Sequence, residues 1–372
     1  MLNQLKSWVI NNFEESNPMR TFLLLSGILI ATSSLAQTNK GNKNKMEEKF
    51  VLVIHGGAGT ILKKNMTPER EAAYQKALNE ALVTGYEILK NGGTALDAVE
   101  AAVRIMENSP LFNAGKGAVF TNEGKNELDA SIMDGSNLKA GSVAGVTTIK
   151  NPITAARAVM EKSQHVMMIG PGAEKFAAEN GLEIVDPGYF HTEDRWKALM
   201  RLKKQDSIKM ELDHDSTTKN KQEALLQNPL ARDDKFGTVG AVALDRKGNL
   251  AAATSTGGMT NKKFGRVGDA PIIGAGTYAK NATCAISCTG WGEFFIRLSV
   301  AKTVSDLMEY KGYSVKKASE ELIMKQVPAL GGDGGLIAVD KKGNIAMPFN
   351  TEGMYRGYIK SDGKAVISIY KE

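Results

Sequence analysis

The chain has 372 residues, 42% apolar and 24% charged, a balance that fits one large or two small globular domains. Its formal charge of +6 is modest for that length. Much of the excess sits in the N-terminal leader and at Lys40, Lys43 and Lys45, so no nucleic-acid-binding face is outlined. Cys284 and Cys288 are the only cysteines; they read as buried small residues, and two cysteines alone make neither a disulfide framework nor a zinc site.

At the N-terminus, Arg20 precedes an apolar run from Phe22 to Ile30, and Ser34-Leu35-Ala36 supplies a small-x-small site with cleavage expected before Gln37. The run is too short for a comfortable transmembrane helix. Residues 1–36 are therefore read as a leader, with Met19 a candidate start. The mature protein is expected to be exported, periplasmic or secreted, without a stable membrane partner; an uncleaved membrane anchor is the alternative.

Val51-Leu52-Val53-Ile54-His55 predicts a strand running into Gly56-Gly57-Ala58-Gly59. Thr67-Pro68 is a cap followed by proline at the first helical position, opening a helix to Lys90 that stops at Asn91-Gly92-Gly93. Thr94 caps the next helix, with Leu96, Val99, Val103 and Met106 at helical spacing. Strands are expected around Ala118–Thr121, Leu128–Met133 and Ser142–Ile149, with a turn at Asp134-Gly135, and helices from Asn151-Pro152, around Ala173–Glu179 and over Glu193–Lys203. From about 204 to 235 the chain is polar and of mixed charge, which predicts a solvated, disordered connection. Beyond it, Val239–Leu244 with Leu250–Thr254, and Leu336–Val339 with Ile345–Phe349, read as two similar hairpins, with helices near Gly292–Tyr310 and Ser314–Lys325 between them. Strands and helices grouped in this way in both halves predict an α+β, sheet-on-sheet core flanked by helices rather than a nucleotide-binding βαβ alternation; Gly56–Gly59 also lacks the G-x-G-x-x-G spacing.

The chemistry concentrates at Phe236-Gly237-Thr238-Val239-Gly240-Ala241, where a polar segment turns into an apolar strand. Thr238 is either a plain strand threonine or, if the chain cuts itself before it, an N-terminal nucleophile whose α-amine serves as its own base. Such an amine titrates at roughly 7.7–8.0 and so accepts a proton near neutral pH. The following hairpin returns hydroxyls through Thr254-Ser255-Thr256-Gly257-Gly258. In Arg266-Val267-Gly268-Asp269 a planar guanidinium and a carboxylate either face one zwitterionic amino-acid head or form a mutual surface ion pair. Thr289-Gly290-Trp291-Gly292 is either a strand-to-helix turn or a set of donors for an oxyanion. The four histidines (His55, His165, His191 and His214) accompany no G-x-S-x-G elbow, which leaves the amine as the better candidate base.

Taken together, His55–Gly59, Leu111–Gly117, Asp129–Gly135, Gly237–Gly240, Thr254–Gly258, Gly265–Asp269 and Asn350–Met354 resemble the plant-type asparaginases, also called isoaspartyl peptidases, of the N-terminal-nucleophile hydrolases. The resemblance spans Phe50 to Tyr358 apart from the connecting segment. It implies a four-layer αββα sandwich cut between Gly237 and Thr238 into an α-chain (37–237) and a β-chain (238–372) of one catalytic domain (50–372). It further implies a homodimer of αβ units that hydrolyses L-asparagine and β-aspartyl dipeptides without a cofactor. By the same resemblance Thr238 is the nucleophile, Thr256 tunes it, and Thr289 and Gly290 are oxyanion donors. Arg266 clamps the substrate carboxylate, and Asp269 and the Gly292 carbonyl hold its ammonium. Asn113 reaches the nucleophile region, and carbonyls of the Met106–Lys116 loop hold a sodium ion. Gly237 stands where glycosylasparaginases carry aspartate, which weighs against that alternative. Trp291 occupies a variable position at the mouth. A threonine endopeptidase on the same scaffold, or an uncleaved exported amino-acid-binding protein, are the remaining alternatives.

Overall fold

In β1 (Val51–Gly59), Leu52 and Ile54 pack on one face of the sheet while Val51 and Val53 pack on the other, all fully or nearly fully buried. The same two-residue period divides β5 (Val239–Leu244): Val239, Ala241 and Ala243 go with the first set, Val242 and Leu244 with the second. Because both faces are covered, each strand reads as a continuous apolar run rather than an alternating one. The computed structural model describes residues 49–213 and 237–371; the leader and most of the connecting segment, 214–235, lie outside the described residues.

Both strands belong to a sheet of order β12-β11-β1-β5-β6-β2-β3-β4. Its other members are β2 (Leu128–Asp134), β3 (Ala140–Val146), β4 (Met167–Ile169), β6 (Leu250–Thr256), β11 (Gly353–Lys360) and β12 (Ala365–Tyr370). Every pairing is antiparallel except β3 with β4. A second sheet, β10-β9-β8-β7, is built from β7 (Thr277–Ala279), β8 (Cys284–Gly290), β9 (Gly334–Asp340) and β10 (Ile345–Ala346). The two sheets touch through β1, β5, β6 and β2 on one side and β7, β8 and β9 on the other.

Helix α1 (Pro68–Lys90) starts where the Thr67 hydroxyl accepts from the Arg70 amide, and α2 (Ala95–Glu107) starts at a complete capping box between Thr94 and Asp97. They pack on the large sheet together with α3 (Pro152–Lys162). Helices α4 (Gly170–Glu179) and α5 (Glu193–Asp213) follow. After the second hairpin strand, α6 (Gly292–Leu298), α7 (Val300–Lys311) and α8 (Val315–Glu321) follow one another, and α7 and α8 cover the small sheet.

Four expectations change. Ala118–Thr121 is extended but joins no ladder, because its backbone is engaged irregularly. Asn126 Nδ2 donates to the Ala118 and Val119 carbonyls, and the Val119 amide donates to Asn113 Oδ1. Helix α5 continues ten residues beyond Lys203 into the expected disordered segment; that stretch holds no glycine or proline and is rich in Lys, Gln, Met and Glu, which sustain a helix. The single helix predicted near Gly292–Tyr310 breaks at Ser299, which sits in the left-handed region at φ 45°. The helix predicted to Lys325 turns into a π-helical segment at Leu322–Gln326.

Candidate active site

Strand register brings Thr238 and Thr256 together. Val239 pairs with Ser255, so Thr238, the residue just before β5, faces Thr256 at the end of β6, and cross-strand neighbours of this kind share a face. The Thr238 hydroxyl donates to Thr256 Oγ1 at 3.1 Å, and the Gly258 amide donates to the same oxygen at 3.0 Å. Thr238 is 8% exposed and Thr256 is buried. On the other side of the peptide bond, the Gly237 carbonyl accepts from the Asn113 amide at 3.2 Å. Asn113 is itself fixed at three points: its side-chain amide donates to the Gly258 carbonyl at 2.8 Å, its Oδ1 accepts from Val119, and its carbonyl accepts from Gly257. Asn113 thus meets the Gly237–Thr238 junction through its main chain.

Gly237 divides two spaces. A narrow cleft is lined by Gly237, Thr238, Thr256, Gly258, Met259, Arg266, Gly268, Asp269 and Gly290. A larger cavity of about 350 Å³ is lined by Gly56–Leu62, Pro110–Asn113 and the cations Arg70, Arg195, Lys197 and Arg201 among others. The smaller space holds the chemistry, since it gathers both hydroxyls, the arginine and the aspartate. Val267, Thr289, Trp291 and Gly292 are not among the residues that line it.

Arg266 and Asp269 do not form the mutual ion pair that their spacing allowed. The guanidinium is gripped by Glu293, Nε to Oε1 at 2.9 Å and Nη2 to Oε2 at 2.8 Å. Burial works against the Glu293 charge, but Arg266 outweighs it and holds the carboxyl below its ordinary range; the Trp291 side chain also hydrogen-bonds Glu293. Asp269 is left with Oδ2 buried and without a hydrogen-bond partner. Burial pushes its carboxyl up to about 7, partly offset by the Arg266 charge. A Cβ at Gly292 would come within 2.9 Å of Arg266 Nη2, of the Asp269 amide and of Asp269 Oδ1, so only glycine lets the helix start meet this loop. An orphaned carboxylate oxygen aimed at a cleft beside a guanidinium is the arrangement an ammonium and a carboxylate on one carbon would fill.

Thr289 is fully buried, and its Oγ1 accepts from the Ala58 amide at 3.3 Å, which leaves the hydroxyl proton available to donate. Gly290, next to it, lines the cleft. Two residues matter here that the sequence reading gave no role: Glu293, which lies in the same run as Thr289 and Gly292, and His55. The His55 Nδ1 lies 3.0 Å from the Thr238 carbonyl oxygen and its Nε2 lies 2.9 Å from Ser287 Oγ. Cys284 and Cys288 are buried free thiols, pushed up by burial, as their spacing suggested.

In and just after the Met106–Lys116 loop, side chains at Gly115 and Gly117 would collide with the carbonyls of Glu107, Pro110 and Phe112, so the loop packs tightly with backbone oxygens turned inward. Such oxygens suit a hard cation such as sodium. Among the described residues, no group of three His, Cys, Asp or Glu side chains is placed to hold a metal ion.

A buried hydroxyl pair at a strand start, an amide-held carbonyl preceding it and an amino-acid-shaped charge pair define the site of an amide-cleaving enzyme. The chain belongs to the asparaginase family: a family model described as asparaginase matches residues 48–369. It is 52% identical over 324 residues, 87% of this chain and 97% of the relative, to the isoaspartyl peptidase of Escherichia coli (strain K12). It is 51% identical to that of Salmonella typhimurium, over 87% of this chain and 99% of the relative. To the plant-type L-asparaginase of Pyrococcus furiosus it is 45% identical, over 84% of this chain and 97% of the relative.

Proposed function

We propose that this protein hydrolyses β-aspartyl dipeptides and L-asparagine, with Thr238 as its nucleophile after self-cleavage at Gly237–Thr238. The junction itself carries this reading: a hydroxyl oriented by Thr256 stands on one side of a peptide whose carbonyl oxygen is already held by the Asn113 N–H at 3.2 Å. In the cut, Thr238 Oγ attacks the Gly237 carbonyl carbon, the peptide C–N bond breaks, and the acyl group moves from nitrogen to oxygen. Water then hydrolyses the ester, leaving a Gly237 carboxylate and a free Thr238 amine. The Asn113 N–H is the donor placed to receive the developing oxyanion.

In turnover the new amine takes the proton of its own hydroxyl. The hydroxyl oxygen attacks the substrate side-chain carbonyl, with the Thr289 hydroxyl and Gly290 serving the oxyanion. The protonated amine hands its proton to the leaving amine or ammonia, and water releases aspartate. Asp269 takes the substrate ammonium and Arg266 its carboxylate, sharing the guanidinium with Glu293. A sodium ion on backbone carbonyls of the Met106–Lys116 loop would brace the Asn113 segment when bound. The two sheets and their covering helices are read as a four-layer αββα sandwich, made as a precursor and working as a dimer of αβ units after export.

The test compares Thr238→Ala with Thr238→Ser, measuring scission on a denaturing gel and aspartate release from L-asparagine and a β-aspartyl dipeptide. The alanine variant should remain one chain and release no aspartate; the serine variant should retain part of both activities. Full turnover by Thr238→Ala would remove Thr238 from the reaction.

A further inference from the structure

A polar row crosses the large sheet one step behind the nucleophile. Strand register places His55 on β1 opposite Gly240 on β5, Gly240 opposite Thr254 on β6, and Thr254 opposite Ser131 on β2. The neighbouring row, Val53, Val242, Ala252 and Met133, is wholly apolar and packs into the core. Facing the polar row from the small sheet are Thr277 and Ser287, themselves register partners. All five polar side chains are fully buried. Buried polar groups cost stability unless satisfied, so a core with only packing to do would be apolar here too.

These groups form one continuous relay. Ser287 Oγ lies 2.9 Å from His55 Nε2 and 2.7 Å from Thr254 Oγ1; Thr277 donates to Thr254; Ser131 lies 2.7 Å from Thr277 and donates to the Ala270 carbonyl at 2.6 Å. A carbonyl only accepts, so His55 Nδ1 must carry the hydrogen that meets the Thr238 oxygen at 3.0 Å. Burial drives the imidazole down to about 3, so it is neutral and its Nε2 must accept from Ser287. The relay thus has one direction, from the Ser131 hydroxyl through Thr277, Thr254 and Ser287 to His55 and the Thr238 carbonyl, and the Ala270 carbonyl competes with Thr277 for the single Ser131 proton. Gly240 makes room for it, since a side chain there would overlap both Ser287 Oγ and His55 Nε2.

We infer that His55 is a positioning residue for Thr238, held in its Nδ1–H tautomer by the Ser287–Thr254–Thr277–Ser131 relay and fixing the nucleophile through the Thr238 carbonyl. This rests on the reading of Thr238 as nucleophile. The contact lies on the β-chain side of the scissile bond, so it serves both the cut and the turnover that follows. Ala270 directly follows Asp269, so the relay also ties the nucleophile strand to the loop that takes the substrate ammonium.

Two variants separate positioning from bulk. His55→Asn keeps an N–H at the δ position and loses the tie to Ser287; His55→Gln reaches Ser287 and loses the δ donor. With β-aspartyl dipeptide as substrate, His55→Gln should lower kcat roughly ten- to a hundredfold, the size a misplaced reacting group produces, with KM nearly unchanged. His55→Asn should recover most of that loss. Equal losses in both variants, a wild-type kcat in His55→Gln, or an effect on KM alone would overturn the inference. Independently of any variant, the 15N shifts of the wild-type imidazole should report a neutral ring protonated at Nδ1 between pH 5 and 9; a proton on Nε2 would overturn it. Thr238→Ala run alongside keeps the two readings apart: turnover in that variant would sink the nucleophile assignment, whereas a dead Thr238→Ala with an unaffected His55→Gln would sink only the role of His55.

Discussion

Asp269 is the residue whose chemistry is most exposed to test. It is buried, one oxygen has no partner, and burial lifts its carboxyl to about 7. Only the ionised form attracts an ammonium, so proton and substrate compete for it. As pH falls below about 7 the free enzyme protonates Asp269 and KM for L-asparagine should rise, while kcat falls for a separate reason, protonation of the Thr238 α-amine whose ordinary range is roughly 7.7–8.0; steady-state kinetics from pH 5 to 9 resolves the two. Asp269→Asn should raise KM on the order of ten- to a hundredfold, the worth of a hydrogen bond to a charged group, and flatten its pH dependence over that range. A KM for Asp269→Asn equal to that of the wild type would remove Asp269 from recognition. The sequence placed Arg266 and Asp269 on one loop but could not choose between a mutual pair and a substrate clamp. Glu293, 27 residues from Arg266, rules out the mutual pair, since it occupies the guanidinium.

Between elements, register does the placing. Thr238 meets Thr256 because β5 and β6 form a hairpin, a local event legible in the alternation and turn between them. Helix starts were legible for the same local reason, since Thr67, Thr94 and Ser314 each cap with their own side chains. His55 meets Thr238 across 183 residues and Ser287 across 232, and no local pattern announces such partners. Ala118–Thr121 has the composition of a strand, but its hydrogen bonds go to side chains and to loop backbone (Gly115, Lys125, Asn261) rather than to a neighbouring strand. Where β1 passes the junction, Gly57 (φ 110°) lies against Gly237, and an added Cβ would stand 2.6 Å from the Gly237 Cα. Gly57→Ala should therefore cost about 1–3 kcal/mol of backbone strain and slow scission as well. Thermal melting and the uncut fraction over time measure the two effects; a stable variant that cuts at the wild-type rate would contradict the close packing of β1 on the junction.

For the whole molecule, two buried carboxyls make stability fall as pH rises toward 7, outweighing His55, whose lowering from 6.5 to about 3 acts in the opposite direction below about 6.5. Glu107 is completely buried, accepts from Ser255, Asn151 and the Ile153 amide, and burial raises it from 4.5 to about 7 despite those bonds. Its folded value is above its unfolded one, so between about 4.5 and 7 the native state keeps a proton that the unfolded chain has lost. Its contribution is present below that window and fades as pH rises through it, on the order of 3 kcal/mol in all. Asp269, moved from 3.8 to about 7, acts in the same direction. Urea unfolding of the Thr238→Ala single chain should thus show stability falling from pH 5 to 7, and Glu107→Gln should flatten part of that slope; an unchanged slope would contradict it. The division of the chain into two parts is the larger claim, and intact mass with N-terminal sequencing of the purified, active enzyme tests it most directly. Two chains are expected, one ending at Gly237 and one beginning Thr-Val-Gly; full activity from an unbroken chain would contradict self-cleavage.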